Sequence, residues 1–107
     1  MSKAIIIEAN GNVRRVEIEG YEDLNKAVGG YIEGIRLGDT GQFAYLNEDG
    51  IALGLPYNEV ATQLCYRRNV GLIPGDYIKG TMVIVGPADH EGNETDVSDE
   101  LAAELGV

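Results

Sequence analysis

The sequence predicts an α+β domain: a mixed, mainly antiparallel sheet of five or six strands, two helices on one face and a short C-terminal helix. Three observations carry this expectation. Asn10-Gly11 stands between two strand-like runs and is a strong short hairpin signal. Tyr57, Val60, Ala61, Leu64 and Cys65 fall at i, i+3, i+4, i+7 and i+8, the spacing of one apolar helix stripe. Ile5-Ile6-Ile7 and Met82-Val83-Ile84-Val85 are unbroken apolar runs, as strands buried on both faces read.

Taken in order, residues 3–9 form the first strand and 13–19 its return. Val16 and Ile18 lie on one side of that return strand, with Arg15, Glu17 and Glu19 on the other. Leu24, Ala27 and Val28 keep helical spacing after Tyr21, and Gly29-Gly30 ends this helix near residues 22–28. Residues 31–37 alternate as a strand interrupted at Gly34, where a bulge or a close approach is expected. Gly38 to Gly41 turn the chain into a strand at 42–47. The Asn47-Glu48-Asp49-Gly50 turn then makes a hairpin with the short apolar run 51–53, which Pro56 stops.

The second helix spans residues 58–67. Asn58 caps its start, Glu59 suits the positive end of the helix dipole, and Arg67 and Arg68 suit the negative end. Glu59, Thr62, Gln63 and Arg67 lie outside its apolar stripe. Residues 69–75 are a loop and 77–85 the last strand, whose Met-Val-Ile-Val run reads as central. Beyond Pro87 the chain becomes polar and acidic. This places a single domain at 1–88 and an acidic tail or loop at 89–107, ending in a short helix capped by Ser98 that docks through Leu101 and Leu105 or frays.

The 107 residues are enough for one core without metal or disulfide support. Of the net charge of −10, residues 1–88 carry −3 and residues 89–107 carry −7. A balance this acidic argues against direct nucleic-acid binding, which needs clustered Lys and Arg, and leaves partners with basic surfaces open. The apolar runs are too short to span a bilayer, and the start Met-Ser-Lys leads into a strand rather than a signal peptide's apolar core. A cytoplasmic location is expected. Cys65, the lone cysteine, falls on the buried stripe and reads as a small core residue.

Familiar catalytic patterns fail one by one. Residues 75–81 have the glycine spacing of a phosphate loop but lack its Lys, and a strand follows where a helix is needed. His90 is the single histidine, so no metal site and no cofactor is expected. A calcium-loop spacing from Asp89 to Glu100 has Glu94 where the sharp-turn glycine belongs. Glu33 and Asp76 stand out as carboxylates in otherwise apolar surroundings. The start of the second helix is the other candidate: free amides behind Leu55-Pro56-Tyr57-Asn58 suit a small anionic ligand, with Tyr31 or Tyr57 as a stacking surface.

Three segments occur together: Gly29-Gly30-Tyr31-Ile32-Glu33, then Asn47 to Gly50 with Gly54 to Asn58, then Gly75 to Thr81 with Val83 to Gly86. In this order they resemble the domain of unknown function numbered 3846, an uncharacterised family of bacteriophages, plasmids and some actinobacterial and firmicute genomes. The likeness covers the chain from the isoleucine strand to about Gly86. It implies mobile-element origin and a compact mixed fold, and it brings no catalytic residues.

The expectation is therefore a non-enzymatic mobile-element accessory protein that binds a host protein in the cytoplasm. A binder of a small ligand or nucleotide signal and an acidic DNA mimic are the alternatives. Edge strands carrying Phe43 and Tyr45 also suggest a homodimer interface.

Overall fold

The computed structural model describes residues 2–38, 40–50, 52–68, 77–92 and 95–107. Its elements in chain order are β1 (Ser2–Ile7), β2 (Val13–Ile18), α1 (Tyr21–Val28), β3 (Ile32–Arg36), β4 (Phe43–Asn47), α2 (Glu59–Arg67), β5 (Met82–Val85) and α3 (Asp99–Glu104). The sheet order is β2-β1-β5-β4-β3, and each neighbouring pair is antiparallel. The Met-Val-Ile-Val run is the middle strand, as its unbroken apolar character predicts. The expected loop at 69–75 lies outside the described residues.

Alternation along the inner strands gives the sheet two apolar faces. Ile5, Ile7, Ala44, Met82 and Ile84 point to one side and pack with Ala61, Leu64 and Cys65 of α2 and Leu101 and Ala102 of α3. Ala4, Ile6, Val83 and Val85 point to the other and pack with Leu24 and Val28 of α1. The helices α1 and α2 therefore lie on opposite faces, which corrects the expectation of two helices on one. The physical reason is in β1 and β5: strands apolar on both sides must be covered on both sides.

Local departures have equally local causes. Gly34 is in regular register with Tyr45, without a bulge, but the Tyr45 ring lies over it: a Cβ there would sit 3.2 Å from the ring. After β4 the chain makes two successive turns rather than a hairpin, with Leu53 N–H donating to Asp49 O and Leu55 N–H to Gly50 O. The last strand is shorter than the predicted 77–85, because Tyr77, Ile78 and Lys79 turn toward residues 56–58 instead of toward the sheet.

Residues 95–107 are built into the domain. Val97 N–H donates to Lys3 O at 2.9 Å, Lys3 N–H to the Asp96 carboxylate at 2.8 Å, and Gly86 N–H to Thr95 O at 3.0 Å. The approach is so close that a Cβ at Gly86 would lie 2.1 Å from Asp96 O, so a side chain there would displace the segment. Ser98 caps α3 through the Leu101 amide, and Val97, Leu101 and Ala102 are buried.

Because Leu64 is wholly buried between α2 and the sheet, Leu64→Ala is expected to cost roughly 2–5 kcal/mol. Urea denaturation reads this as a lower midpoint, and a loss below about 0.5 kcal/mol, far under the range for a buried leucine, would contradict the packing described.

Candidate functional site

Residues 56–58 cross residues 78–80 as a short antiparallel pair just ahead of α2. Asn58 N–H donates to Ile78 O at 2.8 Å and Gly80 N–H to Pro56 O at 2.7 Å, with Tyr57 opposite Lys79. Extended backbone sends successive side chains to opposite sides, so Asn58 goes inward and Tyr57 outward.

Inside, Asn58 is completely buried. Its Oδ1 accepts from the Ala61 amide at 3.0 Å, capping α2, while Nδ2 donates to Ile7 O at 2.9 Å and Gly80 O at 2.8 Å. Its carbonyl accepts from the Thr62 amide and hydroxyl, and the Thr62 hydroxyl oxygen accepts from the Ile78 amide at 2.8 Å. Thr62 is thus buried, not outside the apolar stripe as its polarity suggested. Two amides at the helix start are already bonded to Asn58, and the exposed Glu59 carboxylate occupies the same end. The helix start is structural, and Asn58 supports the surface above it without lining it.

Outside, the rings of Tyr57 and Tyr77 meet edge to face, with centroids 5.3 Å apart and planes at 81°. Both remain about half exposed, at 46% and 48%. Tyr57 thus precedes the helix and faces solvent, off the buried stripe that its spacing suggested. The Lys79 ammonium lies 5.2 Å from the Tyr77 centroid, in cation–π range, and pairs with no carboxylate among the described residues. Pro56 is exposed beside this pair. Tyr77 and Lys79 were not foreseen as part of a site; their i, i+2 spacing in an extended segment was the available signal.

The other candidates lie elsewhere. Tyr31 is 68% exposed just before β3, and Glu33 is exposed on that edge strand, so its carboxylate is solvated rather than sequestered. Asp76 lies outside the described residues. Phe43 and Tyr45 are half-buried against the α1-side cluster, and the Arg36 guanidinium lies 5.9 Å from the Phe43 centroid. Burial pushes the Cys65 thiol up to about 11, so it is protonated at neutral pH. No group of three or more metal-ligating side chains converges among the described residues.

At the far end of α2 a cleft of about 310 Å³ is lined by Thr40, Arg68, Ser98, Glu100 and Leu101. Arg68 and Arg67 share the carboxylate of Glu104.

A family profile described as Domain of unknown function (DUF3846) matches residues 1–106, extending the likeness past Gly86 through the docked C-terminal segment. No curated protein and no solved structure matches the chain. No helix among the described residues is long and apolar enough to cross a membrane.

Asn58→Ala removes the α2 cap and strands two buried carbonyls. It is expected to cost about 3 kcal/mol, from roughly 1 for the cap and 1–3 for each unpaired group, moderated by relaxation. Asn58→Asp keeps the cap acceptor but cannot donate, so it should also destabilise. Chemical denaturation of both variants checks this, and wild-type stability in either would refute the role assigned to Nδ2.

Proposed function

We propose that this chain, which belongs to the DUF3846 family, is a non-catalytic accessory protein that binds a partner protein through the Tyr57–Tyr77–Lys79 face. The observation that carries the reading is the aromatic pair itself. Two rings held against each other on a short, doubly hydrogen-bonded segment are pre-organised, yet half of each stays in water. Tyrosines of this kind are enriched among the residues that dominate protein interfaces, because they bring a large contact area and lose few rotamers on binding.

The charge of −10 supports a partner with a basic surface, steered toward the acidic body and anchored at the rings. The setting of a mobile element, with a host protein in the cytoplasm as the partner, rests on the resemblance read from the sequence. An acidic DNA mimic has less support. Asp96 bonds the Lys3 amide, Asp99 pairs with Arg15, and Glu104 pairs with both Arg67 and Arg68, so these tail carboxylates already have partners within the chain. A homodimer across the β3 edge is compatible with the same activity, since Tyr31 and Glu33 stand there in solvent.

The test is capture and identification of the partner from host extract, followed by binding measurements with purified components. Tyr57→Ser and Tyr77→Ser are each expected to weaken binding by about 2 kcal/mol, roughly thirtyfold, with circular dichroism and melting unchanged. Affinity should also fall as salt rises. Full affinity in the double variant would overturn the proposal.

A further inference from the structure

β2 is the edge of the sheet opposite β3, and Arg14, Arg15 and Glu17 stand in solvent along it. Its register with β1 decides which of its backbone groups face outward. Glu8 N–H donates to Asn12 O at 2.8 Å, and in an antiparallel pair the hydrogen-bonded positions recur at every second residue, so Arg14, Val16 and Ile18 turn their amides and carbonyls toward β1. Those of Val13, Arg15 and Glu17 point out of the sheet. Lys3, opposite Glu17, agrees with this parity: its own amide and carbonyl turn away from β2, to Asp96 and Val97.

The side chains are arranged with equal regularity. Arg15 and Glu17 lie two positions apart and share the α2 side with Val13, whereas Val16 and Ile18 belong to the α1 side. Arg15 reaches Asp99 through Nη2 at 3.3 Å, which leaves the other donors of its guanidinium for a second carboxylate. Glu17 is in no ion pair among the described residues. An exposed edge of this kind is a template for another strand, and a two-fold axis normal to the sheet would keep both faces continuous. With the axis at Arg14, Arg15 or Glu17, that residue meets its own like charge; at Val13 or Ile18 only the end of the strand is paired. At Val16 the pattern matches itself. Arg15 of each copy then lies opposite Glu17 of the other, Val16 meets Val16, and the outward backbone groups of Arg15 and Glu17 bond one another. The β3 edge has no such register, because Glu33 and Arg36 are three positions apart and so on opposite faces.

We propose that the occupant of the β2 edge is a second copy of this chain, joined as a two-fold homodimer centred on Val16 with the two sheets continuous. This surface shares no residue with the tyrosine face, and the inference does not depend on it. The charge of −10 on each copy opposes association, so the dimer is weak, with a dissociation constant on the order of 100 µM.

Sedimentation equilibrium of the full chain over a dilution series, with hydrogen exchange read by residue, tests the assignment. The mass is expected to rise from 11.5 kDa toward twice that value, and the Arg15 and Glu17 amides to slow in exchange as concentration rises. Arg15→Glu and Glu17→Arg, both at exposed positions, should each weaken self-association about tenfold or more with circular dichroism unchanged. An equimolar mixture of the two variants should dimerise again, since one chain then presents two carboxylates to two guanidinium groups on the other; both reversals in a single chain should do the same. A mass that stays at 11.5 kDa up to about 1 mM, a dimer that leaves the Arg15 and Glu17 amides unprotected, or a mixture no more associated than its components would each overturn the proposal.

Discussion

One buried side-chain amide holds the two halves of this protein in register. Asn58 reaches the end of β1 through Ile7, the approach to β5 through Ile78 and Gly80, and the first turn of α2 through Ala61. No other common side chain serves all three connections: aspartate lacks the two donors, serine and threonine lack the reach and the second donor, and leucine offers neither. Because both partners of each bond are sheltered from water, the cost of losing the side chain is the full desolvation of the groups left behind, not the small net value of a solvated hydrogen bond. Thr62 doubles the connection one helical turn later, joining Asn58 O to the Ile78 amide through a single hydroxyl.

The surface follows from this interior arrangement. Fixing Asn58 inward in an extended segment obliges Tyr57 to face outward, and the antiparallel crossing sets Lys79 opposite it with Tyr77 two residues before. The ring pair is therefore not a flexible decoration but the outer side of the same junction. On the inner side, α2 is aimed so that Ala61, Leu64 and Cys65 meet Ile5, Ile7 and Ile84, and the C-terminal segment closes over the same layer with Val97, Leu101 and Ala102. A truncation at residue 88 would accordingly uncover core. It would disturb the fold itself and not merely remove charge.

Much of this was legible in the residues. The Asn58 cap, the extent of α2, the glycine end of α1 and the centrality of β5 all come from short-range chemistry, in which the signal and the structure lie within a few positions of each other. What escaped reading depended on partners distant in sequence. Thr62 scores as polar on a helix face, and only the Ile78 amide makes its burial favourable. Tyr57 has the right phase for the apolar stripe but precedes the helix, where the phase no longer applies. The acidic composition of 89–107 concealed two core residues, Val97 and Ala102, which stand with the expected Leu101 among carboxylates that pair with Arg15, Arg67, Arg68 and the Lys3 amide. The two-sided cover was written in Ile5-Ile6-Ile7, for a strand apolar on both faces needs a helix on each.

The most direct test of the junction is native-state hydrogen exchange under increasing denaturant, resolved by residue. If Asn58 ties β1, α2 and the approach to β5 into one unit, the amides of Asn58, Ala61, Ile78 and Gly80 exchange only with global unfolding, alongside those of β1 and β5. If these four amides exchange through a low-energy local opening while the sheet stays protected, the junction is peripheral and the account is wrong.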